Sequence, residues 1–458
     1  MQMDEREEKL LSFLEETRYE DLPPEAVEGA KRCILDTVGV MAAGAHAPDI
    51  DKLIACRQGR GGREEIRVFG REERLSAFDA VWVACAMTRA NEMDDSHDPS
   101  GEHVSTPILG AGLAEAQQLG KVSGKDFIRA YVLAAEIVPR IRRCPVRDGM
   151  PFFGFAANSY APFSAAVMCA SLRGLKGEAL YHTLGWAYAQ MAGAVQLQQG
   201  GGSALYIHHG LAAATGYRAA ELAALGFPGT DNFLLGRFGV LNAYERGNYD
   251  LAPLTDGLGQ KYVVAEMGIK KYPSGRVTHT PIDAALTARE KLGSFNAEEV
   301  ERVTVRYTRG GFAMTCLPEE DRHYPTRPQH ARFSLYYTLA SALLRGHVAL
   351  EDFSCEAVND EQIRSLIGKI HVEVDETLPM LLPGILSVRM KDGREVSAYE
   401  ENMKGSAALP LSYEEIVEKA VKCFAFGRAG KSEAEVRTLA ENIRHLEDFN
   451  DIVPLFFG

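Results

Sequence analysis

At Val300–Thr308 (VERVTVRYT) the sequence changes from helical to strand-like patterns, and this change determines the predicted fold class. Apolar and polar residues alternate there, as expected of a strand with one buried face. Lys369–Val374 alternates in the same way. Ile385–Met390 and Arg394–Tyr399 predict a β-hairpin around a turn that contains Gly393. Because no such alternation of any length occurs before about residue 300, we predict strands only in the later part of the chain.

The sequence before residue 300 is dominated by helix signals. Apolar positions at helical spacing predict helices over Pro24–Met41, Leu75–Glu92, Phe127–Val138, Ala161–Leu172, Gly177–Val195 and Leu205–Leu225. The last three segments are rich in Ala, Gly and Leu, and small side chains allow close helix packing, so we predict an Ala-rich bundle. Helices at Thr280–Leu292 and Ala331–Leu344 are predicted among the strands. Ser412 and Ser432, each with a glutamate three residues later, predict two C-terminal helices.

These patterns predict a mostly α fold with a smaller α+β domain. With 458 residues the chain is too long for one ordinary core, so two domains are expected. We predict a large helical domain over residues 1–265 and an α+β domain over residues 266–404. Helices over residues 405–458 are predicted to return to the helical domain.

The charge balance excludes several classes of partner. The net charge of −13, from 50 Lys and Arg against 63 Asp and Glu, disfavours binding to nucleic acid or to an anionic membrane. An anionic substrate must therefore be held by a local cluster of cations. The first residues are strongly charged, unlike a secretory signal, and apolar runs such as Ala80–Met87 are too short to cross a membrane. We predict a cytoplasmic protein.

The eight cysteines are scattered along the chain, and no two of them form a C-x-x-C pair. Several, such as Cys33 and Cys169, lie in apolar helical contexts. We therefore predict that the cysteines are small buried hydrophobic residues in a reducing compartment. This pattern leaves no converging set of thiolates for an iron–sulfur cluster.

Asn91–His103 (NEMDDSHDPSGEH) is the densest polar cluster of the chain. It lies between two predicted helices, so it is a loop held by rigid structure, where catalytic residues often lie. Its histidines could transfer protons in both directions near neutral pH. A solvated acidic loop is the alternative interpretation. A metal site is a further alternative, but the spacing matches no standard metal motif, and we predict no metal.

A second cluster, Lys270–His279 (KKYPSGRVTH), lies where the two predicted domains meet, and clefts between domains are favoured ligand sites. Its lysines, arginine and histidine would supply the positive charge that a carboxylate substrate needs. Arg276 could bind one carboxylate through two hydrogen bonds. An ordinary basic linker is the alternative interpretation.

Two further segments are weaker candidates. Arg327–Ser334 (RPQHARFS) opens a helix, and Arg327 and Arg332 could bind anions, although Arg332 could simply cover apolar surface with its stem. His208-His209-Gly210 (HHG) is predicted at the head of an Ala-rich helix, where an anion could bind, with one of the two histidines structural. The chain has no phosphate-binding loop and no G-x-S-x-G elbow. A purely binding or structural role is the alternative of another class.

Several strings, in this order, resemble the MmgE/PrpD family. They are ILDTVGVMAAG (Ile34–Gly44), the loop Met93–His103, HHGLAAATGYRAAELAALGFPG (His208–Gly229), KKYPSGRVTHTPIDA (Lys270–Ala284), RPQHARFSLYYTLASALLRG (Arg327–Gly346) and LEDF (Leu350–Phe353). The resemblance extends over nearly the whole chain. Members of this family include 2-methylcitrate dehydratases, cis-aconitate decarboxylases and an iminodisuccinate epimerase.

The resemblance implies a helical domain with an α+β lid, an active site between them, a homodimer and a reaction that needs no cofactor. It also implies the positions of the site residues. The family's loop acids, loop hydroxyl, loop histidine, lysine and later histidine fall on Asp94, Asp95, Ser96, His103, Lys270 and His279.

The chain departs from the family in two places. Decarboxylase and dehydratase members carry a Phe-His-Pro segment where this chain has Gly154-Phe155-Ala156-Ala157-Asn158 (GFAAN). They also carry a lysine shortly before the H-x-G element, where this chain has Ser203-Ala204-Leu205-Tyr206-Ile207 (SALYI). A candidate acid–base group and a candidate carboxylate-binding cation are therefore missing, which strengthens the epimerase alternative.

We predict a cofactor-independent lyase that removes a proton α to a carboxylate and eliminates water from a small hydroxy-polycarboxylate. His103 is the predicted acid–base residue, oriented by Asp94 or Asp95, with Lys270 as a further catalytic residue. The predicted substrate-binding residues are Ser96, His208, Lys271, Arg276, His279 and Arg327. The alternative is an epimerase, isomerase or decarboxylase of a related polycarboxylate, followed by a non-catalytic homologue.

Overall fold

Long helices form most of the protein in the computed structural model, which describes residues 4–59, 62–146, 157–199, 202–381 and 383–458. The longer helices are Glu5–Glu16, Pro24–Ala43, Pro48–Gln58, Ala77–Arg89, Ser105–Leu119, Gly124–Arg143, Ala161–Arg173, Glu178–Ala189, Ala204–Ala224, His279–Leu292, Leu335–Arg345, Tyr413–Gly427 and Glu433–Arg444. Short helices are Gln196–Gln199, Val240–Ala243, Ala252–Thr255, Arg309–Thr315, Glu319–Arg322, Pro328–Arg332, Cys355–Val358, Glu361–Ile367 and Val453–Phe457. None of these helices is both long and apolar enough to cross a membrane.

The predicted fold class, mostly α with a smaller α+β part, is confirmed. One predicted helix is wrong: Ala331–Leu344 is interrupted, and Pro328–Arg332 and Leu335–Arg345 are separate helices. The break occurs because the Ser334 side chain accepts a hydrogen bond from the Tyr337 amide and so starts a new helix. Both predicted C-terminal capping boxes are present.

Val300–Thr308 forms a strand with the predicted bounds, at an inner position of the mixed sheet. It pairs in parallel with Ile370–Asp375 on one side and antiparallel with Gly384–Met390 on the other. Glu395–Glu400 completes the sheet as the second strand of the predicted hairpin. Helix His279–Leu292 packs against these two hairpin strands.

A small second sheet corrects the expectation that no strand precedes residue 300. Ile66–Arg67 pairs antiparallel with Arg74–Leu75. Each of these strands has only two residues, too few to give an alternating pattern in the sequence.

Two main apolar clusters fill the interior. The larger cluster takes its residues from positions 10–269 and 411–456, and the smaller from positions 272–398. Helix Tyr413–Gly427 packs on helix Pro24–Ala43, so the C-terminal helices lie against the helical part. The division of the chain at residues 265 and 404 stays a prediction.

Six of the eight cysteines are buried, as predicted. Cys56 and Cys355 are exposed, which corrects the prediction for these two residues. Cys56 lies near the end of helix Pro48–Gln58, and Cys355 begins the short helix Cys355–Val358, so neither is enclosed by neighbouring elements.

Candidate active site

The polar loop lies between helices Ala77–Arg89 and Ser105–Leu119. It is mostly buried, and neither Asp94 nor Asp95 has any exposed surface. A solvated acidic loop, the alternative that composition left open, is therefore wrong. Buried carboxylates require partners, and their contacts define the site.

Contacts between the loop and the basic segment join the two predicted clusters. Ser96 exchanges two backbone hydrogen bonds with Gly268, at 2.9 and 2.8 Å. Arg276 donates to the two carboxylate oxygens of Asp98, from Nε at 2.9 Å and from Nη2 at 2.8 Å. The loop and the segment, far apart in sequence, therefore form one region.

His103 ends the loop with its Nδ1 atom between two oxygens. Nδ1 lies 2.9 Å from the Asp95 carbonyl oxygen and 3.2 Å from Oδ2 of Asp94. Because both oxygens are acceptors, we assign the ring proton to Nδ1, which leaves the free electron pair on Nε2. Such an imidazole can accept a proton, and the Asp94 carboxylate would stabilise the imidazolium that forms.

Asp94 is ionised despite its complete burial. Nη1 of Arg89 lies 2.6 Å from Oδ1 of Asp94, and the Thr106 hydroxyl donates to Oδ2 at 2.8 Å. Burial alone would raise the pKa of Asp94, but the charge of Arg89 and the hydrogen bond from His103 outweigh it and hold this pKa well below its usual range.

Asp95 faces the helical interior instead. Its carboxylate accepts hydrogen bonds from the Ser105 amide, at 3.2 Å, and from the Ser105 hydroxyl. Burial raises the pKa of Asp95 to about 7, and the hydrogen bond from Ser105 offsets only part of this effect. Of the two aspartates, only Asp94 has its carboxylate against the His103 ring.

A chain of buried ion pairs connects Lys270 to His103. Nζ of Lys270 lies 2.7 Å from Oε1 of Glu92, and Nη1 of Arg89 lies 2.9 Å from Oε2 of the same carboxylate. Burial opposes ionisation of Glu92, but the charges of Arg89 and Lys270 lower its pKa to about 2. Burial lowers the pKa of Lys270. We call Lys270, Glu92, Arg89, Asp94 and His103 the ion-pair chain.

A small cavity of about 10 Å³, with room for about one water molecule, borders His103. Its lining residues are Glu102, His103, Val104, Pro107, Val138, Ala161, Ser164 and His209. Burial lowers the pKa of His209 well below its usual value, so this second imidazole is neutral. The His209 helix can approach closely because Gly210 has no side chain: a Cβ atom there would lie 2.2 Å from the Trp82 carbonyl oxygen.

Glu102 anchors the backbone directly before His103. Nε of Arg142 donates to Oε1 of Glu102 at 2.7 Å, and Arg142 also pairs with Glu245. The Tyr160 hydroxyl donates to Glu245 at 2.6 Å. This buried group of charges therefore holds the end of the loop against helix Gly124–Arg143.

Two predicted residues of the basic segment lie beside the ion-pair chain rather than in it. His279 is fully buried with its ring 5.3 Å from that of Tyr272, and burial lowers its pKa well below the usual value. Lys271 pairs with Asp283 at 3.0 Å and is 40% exposed. The roles of both residues in substrate binding stay predictions.

His208 and Arg327 are not brought to the ion-pair chain. His208 lies in the second turn of helix Ala204–Ala224, not at its head, and its Nδ1 is 3.0 Å from Nδ2 of Asn158. It lines a separate cavity. Arg327 is exposed at the start of helix Pro328–Arg332. Their binding roles stay predictions.

Sequence reasoning missed Arg89 and Glu92. Arg89 could have been found, because it is a charged residue at the end of an apolar helix, directly before the polar loop. No local pattern could pair Glu92 with Lys270, 178 positions later. Residues 154–156, where the chain lacks the family histidine, lie outside the described residues. Within the described part of the chain, no group of three His, Cys, Asp or Glu residues is arranged to hold a metal ion.

Comparison with known proteins gives matches over most of the chain. It is similar to a cis-aconitate decarboxylase of Aspergillus terreus, with 25% identity over 458 residues that cover 95% of this chain and 92% of the relative. The mouse cis-aconitate decarboxylase is 25% identical and the human one also 25%, each match covering 94% of this chain and 89% of the relative. Sequence models of the MmgE/PrpD N-terminal and C-terminal domains match residues 8–252 and 272–445. The chain therefore belongs to the MmgE/PrpD family.

Proposed function

We propose that this protein is a lyase that removes a proton from the carbon α to a carboxylate of a small polycarboxylate. Family membership and the similarity to cis-aconitate decarboxylases support a lyase-type enzyme acting on such compounds. The observation that carries the proposal is the contact of Asp94 with His103 at the edge of an internal cavity.

In the proposed reaction, Nε2 of His103 accepts the proton of the substrate carbon. Asp94 keeps Nδ1 protonated and stabilises the imidazolium. The negative charge that develops on the substrate carboxylate needs fixed cations close to the reacting carbon. In a hydroxy-acid, the neighbouring hydroxyl then leaves as water after it gains a proton, and a carbon–carbon double bond forms.

The cavity beside His103 accounts for only part of the substrate site. Its volume of about 10 Å³ lies far below the roughly 300 Å³ at which ligand pockets usually begin. We therefore expect the reacting end of the substrate to lie beside His103 only after the lining residues move apart. The remaining carboxylates would extend towards the cations that surround the loop.

Decarboxylation is the second candidate reaction, and the similarity to cis-aconitate decarboxylases favours it. In that reaction a carboxylate leaves as CO₂, and the protonated form of His103 delivers a proton to the carbon. Epimerisation is the third, since the same first step followed by return of the proton on the other face inverts the carbon. All three reactions require His103.

Proton NMR in D₂O with EDTA-treated protein tests the proposal. The panel is citrate, 2-methylcitrate, cis-aconitate and iminodisuccinate. A new olefinic signal from citrate or 2-methylcitrate identifies elimination, whereas bicarbonate from ¹³C-labelled cis-aconitate identifies decarboxylation. Loss of an α-proton signal without net product identifies epimerisation. No reaction and no exchange across the panel would contradict the proposed substrate class.

A further inference from the structure

The buried cations around the loop differ in whether a carboxylate neutralises them. The pairs within salt-bridge distance are Arg89 with Asp94 at 2.6 Å, Lys270 with Glu92 at 2.7 Å, Arg276 with Asp98 at 2.8 Å, and Lys419 with Asp36 at 2.6 Å. Arg332 also contacts the loop, but no described residue places a carboxylate within salt-bridge distance of its guanidinium. Arg332 is thus a buried cation with no direct carboxylate partner in the described part of the chain.

The Arg332 guanidinium contacts one polar side chain of the loop and lies near one aromatic ring. Its Nη2 donates to Oδ1 of Asn91 at 2.9 Å, and the guanidinium lies 5.3 Å from the Phe353 ring. Two buried donors, Nε of Arg332 and Nδ2 of Asn91, find no hydrogen-bond partner among the residues that the structure describes. Burial lowers the pKa of Arg332 to about 10, so the side chain still carries its charge at neutral pH.

The position of Arg332 is fixed by the basic segment. The Gly275 amide donates to the Arg332 carbonyl oxygen at 2.9 Å, and Ser334 starts the next helix two residues later. The side chain extends from the α+β part to Asn91, three residues before Asp94. Arg332 therefore lies across the same junction as the ion-pair chain.

We propose that Arg332 and the Asn91 amide bind a carboxylate of the substrate. An unpaired charge in the interior is costly, and an incoming carboxylate would remove that cost. The planar guanidinium can donate two parallel hydrogen bonds to one carboxylate, and Nδ2 of Asn91 offers a third donor. The inference rests on the proposed function, because it assigns one contact of that polycarboxylate.

Calorimetric titration with tricarballylate, a tricarboxylate with no hydroxyl to eliminate and no double bond, tests this assignment. Arg332→Gln should weaken binding by about 10- to 100-fold, because charge-assisted hydrogen bonds are lost. Arg332→Lys keeps the charge but loses the planar fork. Its affinity should therefore lie between that of the wild type and that of Arg332→Gln. The exposed Arg302 gives the matched control, and Arg302→Gln should bind as the wild type does.

Thermal unfolding of the ligand-free variants separates binding from folding. Because Arg332 lacks a counter-charge, Arg332→Gln should unfold no earlier than the wild type. Binding by Arg332→Gln within twofold of the wild type would overturn the inference alone. Equal weakening in Arg332→Lys and Arg332→Gln, together with early unfolding of both, would assign a structural role and overturn it too. A wild type that binds no tricarballylate would overturn both this inference and the proposed substrate class. Turnover that survives loss of His103 would contradict only the proposed chemistry.

Discussion

Asp94 and Asp95 are neighbours in the chain and equally buried, yet they lie in opposite electrostatic environments. Asp94 faces Arg89 and His103, and its pKa is held well below the usual range. Asp95 faces Ser105 on the other side of the loop, and burial raises its pKa to about 7. The side of the loop to which the carboxylate points, rather than its burial, therefore determines which aspartate can support an acid–base residue.

The same contrast extends to the lysines on the two sides of the loop. Lys270 belongs to the ion-pair chain through Glu92, on the side of His103. Lys419, from a C-terminal helix, pairs instead with Asp36, whose charge contributes to the raised pKa of Asp95. We therefore distinguish a catalytic side, which contains Asp94, from a structural side, which contains Asp95.

The largest effect on turnover is expected from substitution of His103, the acid–base residue beside Asp94. His103→Gln removes the proton acceptor but keeps a polar side chain of similar size. Turnover should fall by on the order of 100-fold or more, since acid–base groups contribute at least that much. Steady-state kinetics measures the loss, and unfolding at the wild-type temperature checks the fold. Turnover near that of the wild type would remove His103 from the mechanism.

A pair of lysine variants should separate the two sides. Lys270→Met and Lys419→Met each leave a buried carboxylate short of a cation and should lower the free energy of unfolding by roughly 3 kcal/mol. Only Lys270→Met should also lower turnover strongly, because only Lys270 belongs to the ion-pair chain. Urea unfolding and kinetics on both variants give the two readouts. An equal loss of turnover in both would contradict the division.

The two aspartates should give opposite pH dependence of stability. Asp95 has a folded-state pKa of about 7 against an ordinary value of 3.8, so the folded protein retains a proton that the unfolded chain releases. The stability from Asp95 is therefore present below about pH 4 and lost as the pH rises to about 7, on the order of 4 kcal/mol. Asp94, with its lowered pKa, contributes stability that is present above about pH 4 and lost as the pH falls further.

Thermal unfolding of Asp95→Asn and the wild type between pH 4 and pH 8 measures this difference. Asp95→Asn should lose the decline in unfolding temperature between these limits. Asp94→Asn should keep that decline but unfold at a lower temperature than the wild type throughout this range, because the Asp94 carboxylate contributes its stability above about pH 4. A decline of the same size in Asp95→Asn would assign it to another group.

The smallest effects are expected from the hydroxyls that donate to the two aspartates. Thr106 donates to Asp94 at 2.8 Å, and Ser105 donates to Asp95. Thr106→Val and Ser105→Ala should each cost about 1 kcal/mol of unfolding free energy. Thr106→Val should also reduce turnover several-fold, whereas Ser105→Ala should not. Kinetics on this matched pair checks the contrast, and a reversed order would count against it.

Much of the fold followed from local pattern. The strand Val300–Thr308 has its predicted bounds because a half-buried strand imposes a period of two on its own residues. The break at Ser334 was not predicted, because the cap that causes it competes with a strong helical pattern on both sides. Cytoplasmic location, the homodimer and the absence of a cofactor stay predictions.

The site was less accessible to sequence reasoning. The loop and its histidines were recognised by composition and by resemblance to the family. The directions of Asp94 and Asp95 depend on Arg89 and Ser105, which lie in the two helices that flank the loop, and no spacing rule fixes them. The sequence allowed two interpretations of Arg332, anion binding or cover of apolar surface, and its contact with Asn91, 241 positions earlier in the chain, supports binding.

The decisive measurement is the rate at which Asp94→Asn and Asp95→Asn exchange the α-proton of the substrate identified in the panel. NMR in D₂O measures this rate. We predict that Asp94→Asn loses at least about 100-fold in exchange rate, because His103 loses the carboxylate that orients its ring. Asp95→Asn should stay within about fivefold of the wild type, because the backbone carbonyl that contacts His103 remains. Full exchange in Asp94→Asn, or an equal loss in Asp95→Asn, would contradict the assignment of catalysis to the Asp94 side.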